Sequence, residues 1–169
     1  MNETEYELYN RYVDQYIEII KQNPSKEILQ SIMSVIGEYD TSKIVKGKVT
    51  NGKGSDVSVY ESTVVKTKSG QIQLNEGARI ETKSTYSELS SKKIRVQSII
   101  DKEGHCEYVM ICDYRSEYNR KFFIPADVFF KHALFNDIQY TKSFTWNSDY
   151  QPKGKFAKNT ELLLKYEIV

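Results

Sequence analysis

The chain is poor in cysteine and has neither a long apolar run nor a basic leader. Its two cysteines, Cys106 and Cys112, are too few for a disulfide framework, which predicts free thiols in a reducing compartment. No segment approaches the roughly 18 consecutive apolar residues that a membrane-spanning helix needs. The first residues, MNETEYELYNRY, are acidic, unlike a signal peptide. We therefore predict an unprocessed cytoplasmic protein with no membrane association.

A recognisable zinc motif is also missing. Cys106 and Cys112 could combine with His105 and His132, but their spacing matches none of the common zinc-binding patterns. Both cysteines fall in an apolar, strand-like run, which favours ordinary packing. We therefore predict no zinc site.

The net charge is only +1, but charge is unevenly distributed along the chain. Residues 1–40 contain 3 Lys/Arg against 8 Asp/Glu, whereas residues 41–102 contain 12 against 6. This basic middle either faces the phosphates of a nucleic acid or is a solvated sheet surface. Its cations include Lys43, Lys46, Lys48, Lys53, Lys66, Lys68, Arg79, Lys92, Lys93 and Arg95.

Helical periodicity is confined mainly to the first 40 residues. Apolar residues recur at helical spacing over residues 4–22, and Thr4 with Glu7 forms the pattern of a capping box. Asn23-Pro24 then separates this helix from a second apolar stripe that reaches Gly37, where we expect the second helix to end. The sequence therefore predicts two N-terminal helices.

Strand patterns follow from Lys43 onward. KIVKGKV, DVSVYESTVVKT and ARIETKST read as strands, with a turn at KSGQ between the last two. YVMIC reads as a buried strand, and KFFIPADVFFKHAL as a strand that breaks into a helix at Pro125. No repeat or linker divides the chain, so we predict one α/β domain: a helical part (1–38), a core (43–130) and a C-terminal extension (131–169).

One group of residues carries the pattern of metal-assisted phosphodiester hydrolysis. Pairing around the KSGQ turn would bring Asp56 and Glu81 together on neighbouring antiparallel strands. Mg²⁺ takes one or two carboxylates and keeps several waters, so these two acids and the carbonyl of Thr82 would suffice as protein ligands. Lys83, two residues after Glu81 on the same strand face, would supply a cation for the attacking water. The simpler alternative is a salt-bridged surface pair.

At these residues the sequence resembles the PD-(D/E)XK nuclease superfamily, which includes many type II restriction endonucleases, Holliday-junction resolvases and mismatch-repair nickases. GSD, ending in Asp56, and IETK, residues 80–83, match the family's metal-binding motifs, with Ser55 in place of the motif's proline. The resemblance runs from about residue 25 to 130: a leading helix, the acid-bearing hairpin, YVMIC and KFFIPADVF.

The resemblance implies a restriction-endonuclease-like fold, a central mixed β-sheet with an acid-bearing hairpin flanked by helices. It also implies a Mg²⁺-dependent endodeoxyribonuclease, with Mn²⁺ able to substitute, that acts on double-stranded DNA as a homodimer. Asp56 and Glu81 would bind the metal, and Lys83 would position or activate the water. In some members a carboxylate from the leading helix joins the metal site, and here Glu38 is the candidate.

The sequence leaves two alternatives to a restriction-like nuclease open. One is a junction-resolving or repair nuclease of the same fold; the other is a non-catalytic nucleic-acid-binding or assembly protein in which Glu81 and Lys83 merely pair. In the nuclease, DNA would approach the segments ETKSTYSELSSKKIR and TWNSDYQPKGKFAKN; for the second segment the equally good alternative is an ordinary surface loop. The second segment offers base-edge and phosphate contacts from Trp146, Asn147, Gln151, Lys153, Lys155 and Lys158.

Overall fold

The computed structural model describes most of the chain from residue 25 onward and scattered residues before it. The described residues are 4, 7, 10–11, 14–15, 18–19, 21–22, 25–50, 55–85, 92–100, 104–115, 118–138 and 141–169. Three helices lie within them: α1 (Lys26–Ile44), α2 (Ala126–His132) and α3 (Ala157–Lys165). The described strands are β1 (Gly47–Val49), β2 (Val57–Val59), β3 (Thr63–Thr67), β4 (Gly70–Leu74), β5 (Arg79–Thr85), β6 (Lys93–Ile100), β7 (Tyr108–Asp113), β8 (Arg120–Pro125), β9 (Phe135–Ile138) and β10 (Thr141–Asn147).

A mixed sheet forms the centre of the molecule, which confirms the predicted α/β class. Its five strands lie in the order β1-β2-β5-β7-β8, and β5 and β7 are its one parallel pair. The connection from β5 to β7 contains β6, which belongs to a separate three-stranded sheet ordered β6-β10-β9. The predicted strand at YVMIC is β7, and KFFIP forms β8 and passes directly into α2, as expected from Pro125.

The predicted hairpin at KSGQ is present, but it is divided into two parts. β3 and β4 pair with each other around the turn as a two-stranded sheet, from Thr67↔Gly70 to Thr63↔Leu74. Bends after β2 and β4 then let β2 and β5 join the central sheet in the same continuing register, with Val57 opposite Ile80. The prediction of a single long strand over residues 56–67 is therefore wrong, whereas the predicted register is correct.

Helix α1 does not end at Gly37, contrary to the prediction; it continues to Ile44. The glycine serves packing: a Cβ at position 37 would lie 1.8 Å from Ser84 Oγ and 3.2 Å from Thr82 Cγ2 on β5. The helix therefore crosses β5 at close range, and it gains an internal hydrogen bond from Thr41 Oγ1 to the Gly37 carbonyl at 2.7 Å.

The first predicted helix falls largely on residues outside the described part of the chain. Its capping box is visible: the Thr4 amide donates to Glu7 Oε2 at 2.8 Å, and the Glu7 amide donates to Thr4 Oγ1 at 3.2 Å. The pair of N-terminal helices stays a prediction. Among the described residues, no helix is both long enough and apolar enough to cross a membrane.

Residues after α2 pack into the same core as the central sheet. Phe144 and Trp146 on β10 and Leu163 on α3 are fully buried in a cluster with Val109 and Ile124 of the central sheet. A second buried cluster, which includes Ile80 and Met110, fills the space beside β2 and β5. The strand that carries the predicted site is therefore held firmly between packed layers.

Candidate active site

Asp56 and Glu81 meet at the edge between β2 and β5, as predicted. The β2–β5 ladder ends at the pair Val57↔Ile80, and Asp56 and Glu81 are the residues next to this pair on the two chains. Asp56 lies at a bend just before β2, and its Oδ2 accepts a hydrogen bond of 2.7 Å from the Thr82 amide. Where the β2–β5 ladder ends, the Asp56 side chain takes the place of a backbone acceptor for the Thr82 amide. This bond fixes Asp56 beside Glu81.

Lys83 and His105 bond to the two oxygens of the Glu81 carboxylate. Lys83 Nζ lies 2.6 Å from Oε1, and His105 Nε2 lies 2.8 Å from Oε2. Glu81 is 4% exposed, so water cannot compensate its charge and these partners must do so. The salt-bridged pair is therefore not an ordinary surface pair, in which two exposed side chains share a weak, solvent-screened attraction.

Glu38 on α1 joins the electrostatic environment of these residues. Burial and the nearby Asp56 and Glu81 carboxylates raise the pKa of Glu38 to about 7, while Lys83 opposes the rise. Burial and Glu81 likewise raise the pKa of Asp56, against the lowering effects of the Thr82 amide, Lys83 and His105. Three carboxylates from three elements of the fold thus repel one another in one partly buried region.

The close crossing of α1 over β5 brings Glu38 to this position. Gly37 allows the helix to approach Ser84 and Thr82 on β5, and Thr82 Oγ1 donates a hydrogen bond of 3.1 Å to Thr41 Oγ1 on the helix. Thr82 is therefore bound to Asp56 through its amide and to α1 through its hydroxyl. It is the residue at which the helix, the acid-bearing bend and β5 are joined.

The donor set suits a hard divalent cation. Mg²⁺ prefers carboxylate oxygens, and a bound ion would relieve the repulsion that raises the pKa values of Glu38 and Asp56. As the side chains stand, no three carboxylate, imidazole or thiol groups in the described part of the chain are close enough to share an ion. Both Glu81 oxygens already have partners, Lys83 and His105, so an ion that bound Glu81 would have to replace one of them.

His105 is the member of this group that sequence patterns did not assign to the site, because it was considered only as a zinc ligand beside the cysteines. Parallel strands begin at the same edge of a sheet, and His105 lies just before β7, the parallel partner of β5. The β5–β7 pairing, had it been known, would have placed His105 near Glu81.

Cys106 and Cys112 are free, and burial raises the pKa of each thiol to about 12.

The C-terminal segment predicted to approach DNA is partly internal. Trp146 is fully buried, so the prediction that it contacts bases is wrong. Asn147 Nδ2 donates at 2.8 Å to the carbonyls of Gln151 and of Lys153, so its amide holds the loop together. Lys158 remains exposed on α3. The other predicted DNA-proximal segment lies mostly at residues 86–91, outside the described residues.

Several cations of the basic middle are engaged by acidic side chains. This pairing lowers the positive charge that the surface presents to a polyanion. The pairs are Lys46–Glu61, Lys68–Glu167 and Arg79–Glu107.

The chain matches no protein-family model and no curated protein sequence. Its function must therefore be inferred from the residues themselves and their arrangement.

The raised pKa of Glu38 predicts a pH-dependent stability. The folded-state value of about 7 lies above the ordinary 4.5, so between these values the folded protein holds a proton that the unfolded chain has lost. Stability must therefore fall as the pH rises through this window. We expect Glu38→Gln to raise the urea midpoint at about pH 8 and to lose this advantage below about pH 4.5, measured with a chelator present.

The matched control for this prediction is Glu76→Gln, which changes an exposed glutamate outside the group. It should move the midpoint equally at both pH values. An equal shift of the midpoint in Glu38→Gln at both pH values would show that burial and the neighbouring carboxylates do not raise the pKa of Glu38.

Proposed function

We propose that the protein is a metal-dependent endodeoxyribonuclease of the PD-(D/E)XK kind, acting like a type II restriction enzyme on double-stranded DNA. The observation that carries the proposal is the position of Asp56, at the bend before β2, beside Glu81 on β5, with Lys83 Nζ 2.6 Å from Glu81 Oε1. An acid-x-lysine triplet that arose by chance would have no reason to have a second acid, Asp56, beside it. Glu38 adds a third carboxylate from the leading helix.

Each residue has a distinct role in this proposal. Asp56, Glu81 and the Thr82 carbonyl would hold Mg²⁺, with Mn²⁺ as a substitute, and the ion would supply positive charge against the phosphate and acidify a bound water. Asp56 is kept in place by the Thr82 amide at 2.7 Å. Lys83, on the same strand face as Glu81, would position the water and stabilise negative charge that develops on the phosphate.

The same proposal includes a homodimer. A small catalytic domain with one site cuts both strands of a duplex most simply when a two-fold axis presents one site to each strand. We assign the dimer contact to the predicted N-terminal helices. Junction resolution and repair nicking use the same chemistry on other DNA structures, and substrate comparison separates them from restriction cleavage.

A non-catalytic nucleic-acid-binding or assembly protein is the competing function. The pairing of basic-middle cations with acids, as in Lys46–Glu61, reduces the charge available to phosphates in either function and so does not decide between them. The other carboxylates near Glu81 favour the nuclease instead: a Glu81–Lys83 pair with only a structural role would not need Asp56 and Glu38 beside it, in a region where burial and the charges of Asp56 and Glu81 raise the pKa of Glu38.

The deciding experiment is cleavage of supercoiled plasmid by the purified full chain with Mg²⁺, with Mn²⁺ and with EDTA. We expect cleavage with either ion and none with EDTA. Glu81→Gln, purified in parallel, controls for contaminating nucleases and should be inactive at a temperature where its unfolding curve shows that it is folded. Metal-independent DNA binding without cleavage, weakening steeply with salt, would instead support the competing function.

A further inference from the structure

His105 lies at the candidate active site but is neither a proposed metal ligand nor the proposed cation for the attacking water. Its side chain is 11% exposed, and its Nε2 lies 2.8 Å from Glu81 Oε2. An ionised carboxylate only accepts hydrogen bonds, so the imidazole must donate from Nε2. Lys83 takes the other oxygen, Oε1, at 2.6 Å. The two contacts differ in kind, because lysine has a long flexible stem whereas the imidazole is a short, planar donor.

Backbone conformation and hydrogen bonds fix the segment that carries His105 against the start of β5. Gly104, just before it, has φ = +75°, a left-handed conformation that favours glycine and turns the chain into the site. Two residues after it, the Glu107 amide donates to the Arg79 carbonyl at 2.9 Å, and the Arg79 amide donates to Glu107 Oε2 at 2.7 Å. Arg79 is two residues before Glu81. These two hydrogen bonds between Arg79 and Glu107 fix the segment that contains His105 to the start of β5.

We infer that His105 is the positioning residue for Glu81, holding Oε2 so that Oε1 is the oxygen that exchanges Lys83 for the metal. This inference rests on the proposed function. A carboxylate attached to a protein by a flexible side chain loses rotational freedom when it binds an ion, and a second hydrogen bond made in advance reduces that cost. His105 therefore contributes to metal affinity without touching substrate or the attacking water.

The expected effect is on metal affinity more than on the rate at saturating metal. Loss of a hydrogen-bonded partner of a metal ligand typically weakens binding by about 10–100-fold. We expect His105→Leu to raise the Mg²⁺ concentration for half-maximal cleavage by about this factor, with kcat at saturating Mg²⁺ changed by less than about 10-fold. His105→Gln keeps a donor nitrogen and should recover most of the lost affinity.

The measurement combines cleavage against Mg²⁺ concentration with direct Mn²⁺ binding, followed by the paramagnetic resonance of free Mn²⁺ in the absence of DNA. His132→Leu is the matched control, because His132 is the chain's other histidine and is exposed at the end of α2. It should leave both quantities unchanged. Unfolding midpoints of all variants identify any loss that comes from misfolding.

The possible outcomes separate the two proposals. If the wild type binds Mn²⁺ and cleaves DNA while His105→Leu does so with unchanged affinity, the positioning role is overturned and the nuclease proposal stands. A loss of kcat that Mg²⁺ cannot restore would assign His105 to the chemical step and would also overturn positioning. Equal weakening in the Leu and Gln variants would show that the hydrogen bond is not responsible. Absence of Mn²⁺ binding and cleavage in the wild type would overturn both proposals.

Discussion

Replacing Lys83 with methionine should lower the plasmid cleavage rate by about 10²–10⁴-fold, the range typical of a group that handles the proton or charge of the attacking water. Methionine preserves an unbranched stem of similar length but removes the ammonium group. The Lys83 side chain is only 19% exposed, so solvent cannot replace its charge at the site. The rate is to be measured under single-turnover conditions with saturating Mg²⁺, which separates chemistry from product release.

The same substitution should strengthen metal binding, which gives the prediction a second and opposite readout. Lys83 Nζ occupies Glu81 Oε1 in the structure, so removing it abolishes a cation that competes with the ion for that oxygen. The matched control is Lys46→Met, since Lys46 also pairs with a glutamate, Glu61, but 47% of its side chain is exposed. Lys46→Met should change neither quantity. Normal cleavage by Lys83→Met would contradict the proposed role.

The hairpin shows how far sequence reasoning reaches. A turn at KSGQ determines which residues face each other, and that register continues from β3–β4 into β2–β5. The pairing of Asp56 with Glu81 was predictable for this reason. The division of the hairpin was not, because bends such as those at residues 60–62 and 75–78 depend on which sheet each half packs against.

Gly37 shows the converse, in which a local signal has a tertiary cause. Glycine after an apolar helical stripe usually marks a helix end, but here it is needed where α1 approaches Ser84. Which strand lies under a helix is not encoded within the helix itself. The same limit explains His105, since its approach to Glu81 depends on the parallel pairing of β5 with β7, a contact between segments 28 residues apart, as in Ile80↔Tyr108.

Trp146 was misplaced because composition does not separate a binding loop from a buried strand end. The segment around it is rich in polar and basic residues, which favoured a surface facing DNA. In the structure Trp146 is the last residue but one of β10 and lies within the core, beside Phe144, with ring centroids 5.8 Å apart. Alternation along a strand puts neighbouring residues on opposite faces, so a polar stretch can still bury a large aromatic ring.

The largest stability effect is expected at a buried ion pair remote from the proposed metal ligands. Arg115 and Asp113 side chains are 1% and 0% exposed, and Arg115 Nη2 lies 2.6 Å from Asp113 Oδ2. Tyr150 Oη also donates to Asp113 Oδ2 at 2.7 Å, and Arg115 Nη2 donates to the Ser148 carbonyl at 2.9 Å. These bonds join the end of β7 to the turn after β10.

Arg115→Met should therefore lower the free energy of unfolding by about 3–5 kcal/mol, because it leaves the Asp113 carboxylate buried without its countercharge. Urea denaturation at neutral pH measures this loss. The exposed pair Arg79–Glu107, at 43% and 45% exposure, provides the comparison: Arg79→Met should cost less than about 1 kcal/mol. Both substitutions remove a guanidinium group from an ion pair, so the difference between the two losses of unfolding free energy measures the effect of burial.

A double variant tests whether the cost arises from the uncompensated charge. Arg115→Met combined with Asp113→Leu removes both ions and leaves apolar groups, and replacement of a buried ion pair by apolar side chains is often nearly neutral. We expect the double variant to regain most of the stability lost in Arg115→Met, apart from about 1–3 kcal/mol for the Tyr150 hydroxyl left without its acceptor. If the two losses simply added, packing rather than charge would be the source of the effect, and the pair would act as two independent space-filling side chains.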